Sequence, residues 1–239
     1  MIPKIIHYAW FGRNPKSELI RKCIASWSKY NPDYKIIEWN EDNYNVNSIP
    51  YVSEAYKQKK WAFVADYAKF DILNQYGGII LDTDVEFLKP LPDNMLESEA
   101  FCAFECSRGV APGLIYASEP HQRILEQVIE EYKGRSFSTN NTVGDITTAI
   151  LKQNGLVIND SFQKINGVDV YPNEYFCAFD HETQHFTITD NTVSIHHYTA
   201  SWSNWKRKAH FKMIWLLAEL LGPSTYLKLK HKFYHPKKD

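Results

Sequence analysis

The 239-residue sequence has no run of about eighteen consecutive apolar residues, so no segment reads as a membrane-spanning helix. It opens Met1-Ile2-Pro3-Lys4-Ile5-Ile6-His7 without a long apolar stretch leading to a small-residue cleavage site, and no signal peptide is expected. An excess of either charge is also missing. Lys and Arg number 27 and Asp and Glu 28, a net charge of -1. That excludes the basic surplus with which nucleic-acid binders hold phosphate, so no nucleic-acid partner is expected. Cysteine is scarce: Cys23, Cys102, Cys106 and Cys177 include no CxxC pair, and the Cys102/Cys106 spacing is a weak metal signal. They read as buried free thiols, which points to a reducing compartment, the cytoplasm. Repeats, low-complexity tracts and linkers are absent too, so one domain is the economical count.

What is present suits a soluble globular domain, with 44% hydrophobic and 23% charged residues. Aromatics are abundant at 15%, including seven Trp and fifteen Tyr. Such rings cover sugar and nucleobase faces, and they also fill cores.

Lys4 to Trp10 reads as a buried strand. Asn14 and Pro15 then open a helix, as N-cap and first helical residue, that runs to about Tyr30 before Asn31-Pro32 stops it. Tyr34 to Trp39 is a second strand. From Trp61 to Tyr76 the apolar spacing predicts a helix, which Gly77-Gly78 closes. Ile79-Ile80-Leu81 follows as a strand running into Asp82-Thr83-Asp84. Further strands are expected near Phe101 to Glu105 and Gly113 to Ala117, with helices near His121 to Tyr132 and Asp145 to Leu151. Strands alternating with helices predict an α/β sandwich around a mostly parallel sheet.

The acidic pair is the first chemical signal. In an extended chain Asp82 and Asp84 point to one side and Thr83 to the other. Two carboxylates held that close repel unless a cation lies between them. The outer end of a strand in an open α/β sheet is where ligands bind, and a nucleotide sugar needs a divalent cation to stabilise its departing diphosphate. The plainer reading is a pair of turn carboxylates capping the next element.

Asp66 and Lys69 lie one turn apart on the preceding helix. They read either as a solvated ion pair worth roughly a few tenths of a kcal/mol, or as a sugar-hydroxyl and a phosphate contact. Near the C-terminus, Ile195-His196-His197-Tyr198-Thr199-Ala200-Ser201-Trp202 adds imidazole, hydroxyl and indole groups. A neutral imidazole could complete the metal shell, and one nitrogen among oxygens favours manganese over magnesium. Paired histidines on a strand also serve packing and hydrogen bonding.

These pieces resemble the DXD-containing glycosyltransferases of family 32, especially the capsular-polysaccharide synthesis type. The resemblance rests on residues 2–12 (IPKIIHYAWFG), on 65–73 (ADYAKFDIL), on 76–84 (YGGIILDTD), and on His197-Tyr198 with Ser201-Trp202. Between about 106 and 190 the match is loose. The resemblance implies a GT-A-type, Rossmann-like nucleotide-binding α/β/α sandwich with a helical C-terminal extension. Residues 1–205 would form the transferase domain and 206–239 a basic, apolar helical part of it. It also implies a retaining, metal-dependent transfer from a nucleotide sugar, UDP-linked in this reading, to a glycan acceptor in capsule or other surface polysaccharide synthesis, with Mn2+ or Mg2+ as cofactor.

Carried over position by position, the donor would be met by the first strand at His7 and Tyr8, and by Trp10 stacking on the base. Asp66 would bind the donor sugar or ribose and Lys69 its phosphate. Asp82 would contact ribose and metal, Asp84 and His197 would ligate the metal, and Ser201 and Trp202 would close on the diphosphate. Lys69 stands where the family usually carries Arg, keeping the charge but losing the bidentate fork. Glu105 and Asp145 are the acceptor-facing candidates in the loosely matched middle. Asp145 is offered as a catalytic residue, although near the start of a helix it also reads as a cap.

From Lys206 to Asp239 there are nine Lys or Arg against Glu219 and Asp239, around an apolar stretch at Met213 to Leu221. This reads either as a docked terminal helix with a basic tail or as an interfacial segment drawn to anionic lipid. The second would put the enzyme at the inner face of the cell membrane, near a lipid-linked acceptor. Two other functions fit parts of the pattern: a haloacid-dehalogenase-like phosphatase using Asp82-Thr83-Asp84-Val85, and a non-catalytic sugar- or nucleotide-binding module.

Overall fold

In the computed structural model, which describes residues 1–105, 109–180, 182–198 and 205–233, the first apolar run forms strand β1, Ile5–Ala9. Helix α1, Glu18–Tyr30, starts later than its Asn-Pro signal suggests. The Asn14 carbonyl is occupied by the Trp10 indole N–H at 2.7 Å. Ser17 takes the capping role instead, its hydroxyl accepting from the Ile20 N–H. Strand β2, Lys35–Trp39, and an unanticipated short helix α2, Pro50–Lys57, lead to α3, Trp61–Tyr76.

Strands β3, Gly78–Ile80, β4, Val85–Phe87, β5, Ala100–Ala103, and β6, Tyr116–Ser118, come next. They are followed by helices α4, Arg123–Lys133, and α5, Val143–Gln153. The loosely legible middle then holds β7, Gln163–Ile165, β8, Val168–Tyr171, β9, Phe179–Asp180, β10, His185–Phe186, and β11, Ser194–His196. Helices α6, Trp205–Leu221, and α7, Pro223–Phe233, close the described chain.

Seven strands form the central sheet in the order β2-β1-β3-β6-β5-β8-β7. Pairing makes β1, β2, β3, β5 and β8 run one way, while β6 and β7 oppose them, so the sheet is mostly parallel as expected. One face packs on α2 to α5, where Val64, Phe70, Leu73, Tyr116 and Leu125 are buried. The other packs Ile6, Trp27, Ile79, Phe87 and Phe101 beneath α1 and a separate antiparallel ladder of β4 and β11. This is the α/β sandwich that alternating strands and helices predicted.

Two features bring chemistry to one edge of this sheet. Parallel strands β1 and β3 end side by side, so the loops at Trp10 and Asp82 leave the same edge. The glycine pair permits a direct return from α3 into β3. Gly77 adopts φ +62 at the helix cap, and a Cβ on Gly78 would lie 2.6 Å from the Ile5 carbonyl oxygen.

Candidate active site

β3 ends before the acidic pair. Asp82, Thr83 and Asp84 form a turn closed by the Val85 N–H on the Asp82 carbonyl at 3.1 Å. The two carboxylates therefore converge through a turn, not through the strand alternation that the sequence suggested. Asp82, Asp84 and His196 each bring one ligand-type atom to within 4.8 Å of the others.

Helix α3 runs back over this edge and supplies Asp66 and Lys69. Lys69 is 3% exposed, and its Nζ donates to Asp82 Oδ1 and lies 3.9 Å from Asp66 Oδ1. A solvated surface pair is thus excluded. Burial works against the Lys69 charge, but Asp82 and Asp66 outweigh it and hold the ammonium above its ordinary value. Loss of water lifts the Asp66 carboxyl to about 7, with Lys69 opposing and Asp82 adding to the rise.

The histidine beside the acidic pair is His196, not His197. In the β4–β11 ladder His196 pairs with Val85. Its Nε2 lies 2.9 Å from Asp84 Oδ1 and 3.9 Å from Asp82 Oδ2. His197 turns to the opposite side of the ladder, 2.8 Å from Glu86 Oε2, because successive strand side chains alternate. Desolvation pulls His196 toward the neutral form, but Asp84, Asp82 and Glu105 together raise its pKa. Its buried Nδ1 has no hydrogen-bond partner among the described residues. The Tyr198 ring covers it at 4.2 Å between centroids.

The structure turns the side chains of both donor-binding candidates on β1 into the core. His7 is fully buried; its Nδ1 accepts from the Trp39 indole at 3.0 Å, which leaves Nε2–H to donate to the Gly77 carbonyl at 3.0 Å. Both ring nitrogens are used inside the core, and burial lowers its pKa to about 4. Tyr8 faces the other side, edge-on to Trp27, with its hydroxyl donated to Glu38. Trp10, at the end of the strand, remains partly exposed, and Lys16 lies 5.3 Å from its ring centroid.

Asp145 is an exposed cap. It accepts from the Thr142 N–H at 2.9 Å and the Thr142 hydroxyl at 2.8 Å, while its own N–H bonds back to that hydroxyl at 3.2 Å. This reciprocal box accounts for the residue without catalysis. Glu105 instead belongs to the site's rim, where it raises the His196 pKa and hydrogen-bonds the Tyr198 hydroxyl. Ser201 and Trp202, the expected closing loop, lie outside the described residues.

One neighbour carried no readable signal. Gly113 packs its backbone against Asp82: the Asp82 N–H donates to the Gly113 carbonyl at 2.8 Å, and a Cβ on Gly113 would collide with the Asp82 carboxylate. A lone glycine before a strand reveals such a cradle only once its partner is known.

The donor set suits a divalent cation. Lys69 engages Asp82 Oδ1, while Oδ2 faces His196 and Asp84. Two carboxylates and an imidazole make an oxygen-rich site with one nitrogen. The lone departure is His196 Nδ1, since a metal-ligating imidazole ordinarily donates its second N–H.

Comparison with known proteins points the same way. Residues 17–102 match the family described as the glycosyltransferase sugar-binding region containing a DXD motif. An uncharacterized glycosyltransferase of Acanthamoeba polyphaga mimivirus is 28% identical over 160 residues, 64% of this chain and 64% of the relative. Inositol phosphoceramide mannosyltransferase 3 of Schizosaccharomyces pombe is 26% identical over 134 residues, 53% of this chain and 36% of the relative. The chain thus spans less than two thirds of the length of either relative. A solved glycosyltransferase involved in glycosylation of the major capsid of the virus PBCV-1 aligns with a TM-score of 0.52 at 13% identity. It covers 88% of this chain and 100% of that one. That likeness concerns the fold, a GT-A-type sandwich.

Proposed function

We propose that this chain, which carries the sugar-binding region of the DXD-motif glycosyltransferases, transfers a hexose from a nucleoside-diphosphate sugar to a glycan acceptor. The observation that carries the reading is the convergence of Asp82, Asp84 and His196 beside the buried ammonium of Lys69. Asp82, Asp84 and His196 would hold a divalent cation, manganese or magnesium, whose chemistry is to stabilise charge on the departing diphosphate. Lys69 adds a fixed positive charge beside it. Asp66, with its carboxyl lifted to about 7, offers either a donor or an acceptor to a sugar or ribose hydroxyl. Trp10 supplies a ring at the same sheet edge for the base, the uracil of UDP in this reading. Transfer with retention follows the family resemblance, and in its front-face version asks no nucleophile of the protein. In this reading Glu105 and Tyr198, beside His196, would meet the acceptor, a capsular or other surface glycan.

The experiment is a screen of nucleotide sugars with manganese or magnesium, following release of free nucleotide. One preferred donor is expected, with turnover lost in Asp84→Ala and His196→Gln but kept in His197→Gln. Phosphate release from simple phosphoesters, without nucleotide-sugar turnover, would favour the phosphatase alternative. Metal-independent sugar binding with Asp84→Ala fully active in the cell would favour a binding module.

The acceptor side extends to a lipid surface in this reading. Along α6, Met213, Trp215, Leu216, Leu217 and Leu220 are 41–79% exposed, with Lys212 on the same helix and Lys228 and Lys230 on α7. Exposed apolar side chains interleaved with lysine match an anionic bilayer interface in both chemistry and charge. Among the described residues no helix is long and apolar enough to cross a membrane. Sedimentation with anionic but not neutral vesicles is expected. Binding unchanged after removal of both α6 and α7 would overturn the assignment.

A further inference from the structure

Behind the acidic pair, on the other side of the β4–β11 ladder, a second group of ligand-type atoms meets. Cys23 from α1, Glu86 from β4 and His197 just after β11 each bring one such atom to within 4.8 Å of the others. Cys23 is fully buried, and the Glu86 and His197 side chains are 14% and 20% exposed. Lys22 caps the group from solvent, its Nζ 2.8 Å from Glu86 Oε1.

We propose that Cys23, Glu86 and His197 form a second metal site, distinct from the one at Asp82 and Asp84, for a thiophilic divalent cation such as zinc.

Donor chemistry separates the two sites. Magnesium and manganese favour oxygen ligands, whereas a thiolate with an imidazole selects zinc and its softer neighbours. Zinc holds sulfur at about 2.3 Å and nitrogen or oxygen at about 2.0–2.2 Å, so donors already this close need only a modest contraction. Three protein ligands leave a fourth position for water, which makes an exchangeable site, not a sealed structural one. Binding moves one proton: the Cys23 thiol releases it to solvent as the sulfur–metal bond forms, while neutral His197 contributes a ring nitrogen lone pair. Lys22 supplies the compensating positive charge meanwhile. Its side chain is 64% exposed and free to withdraw.

The site shares backbone with the acidic pair. Glu86 lies two residues beyond Asp84, His197 directly follows His196, and the His197 N–H donates to the Asp84 carbonyl at 3.0 Å. A cation behind the ladder would therefore lie next to the two segments that carry Asp84 and His196. The proposal does not depend on sugar transfer.

The test uses the full-length chain stripped of metal, with cobalt as a spectroscopic probe and zinc measured by equilibrium dialysis. A near-ultraviolet thiolate-to-cobalt band is expected in the parent and in Asp84→Asn, and its absence in Cys23→Ser. Zinc affinity should fall about tenfold or more in His197→Gln and hold in His196→Gln. If Cys23→Ser fails to fold, the partly exposed His197 still gives the answer. The proposal is overturned by the absence of a sulfur band in the parent. It is equally overturned by zinc affinity unchanged in His197→Gln, or by zinc binding that vanishes with Asp84→Asn while Cys23→Ser keeps it.

Discussion

The buried ammonium of Lys69 sits on Oδ1 of Asp82, so the first carboxylate of the acidic pair is half-neutralised before any ligand arrives. A helix residue and a turn residue, thirteen positions apart, thus share one charge balance. Removing the lysine should separate cation binding from catalysis.

In Lys69→Met the loss of that positive charge leaves Asp82 freer to hold a divalent ion, so apparent metal affinity should tighten. Turnover should fall about a hundredfold, the size of effect expected when a preorganised charge facing the departing group is removed. Asp82 is over a third exposed, so water replaces part of the lost contact and the stability cost stays at about 1–2 kcal/mol. Metal titration with initial-rate kinetics measures both. Metal affinity and rate falling together would refute this charge balance.

Gly113→Ala tests the cradle. The new methyl group meets the Asp82 carboxylate, which Lys69 holds from the other side, so the carboxylate must shift. A displacement of about an ångström at a reacting centre can cost a hundredfold in rate. Global stability should change by only about 1 kcal/mol, since no core side chain is displaced. Kinetics beside urea unfolding decides it; full activity would show that Asp82 has room to spare.

How much of this was legible beforehand depends on the range of the determining contacts. Helix α3, its glycine stop and β3 followed from apolar spacing and from the φ values that only glycine tolerates at Gly77 and Gly78. Those signals are local. The choice between His196 and His197 was not, because it rests on the register of β11 against β4, more than a hundred residues apart in the chain. His7 and Tyr8 sit in a stretch that resembles a donor-binding strand, yet their side chains go to opposite core faces, which alternation alone does not distinguish from a ligand face. Asp145 caps its helix as its place near a helix start suggests, whereas α1 is capped by Ser17 and not by the Asn14 that precedes Pro15.

His7 gives a pH dependence of stability whose sign is fixed. Burial lowers its pKa from an ordinary 6.5 to about 4, so the unfolded chain takes up a proton that the folded chain refuses across that window. Its contribution is present above about 6.5 and is lost as pH falls, by at most about 1.4 kcal/mol per unit and about 3 kcal/mol in total. His7→Gln loses the imidazole acceptor for the Trp39 indole and should be less stable at pH 7. It should also lose this part of the slope, so the gap between parent and variant narrows on going from pH 7 to pH 5. Urea unfolding at a series of pH values measures it. Parallel curves for the two proteins would mean that His7 takes up a proton as readily in the fold as in the unfolded chain, and that the Gly77 carbonyl and the Trp39 indole do not hold it in the single neutral tautomer that their positions require.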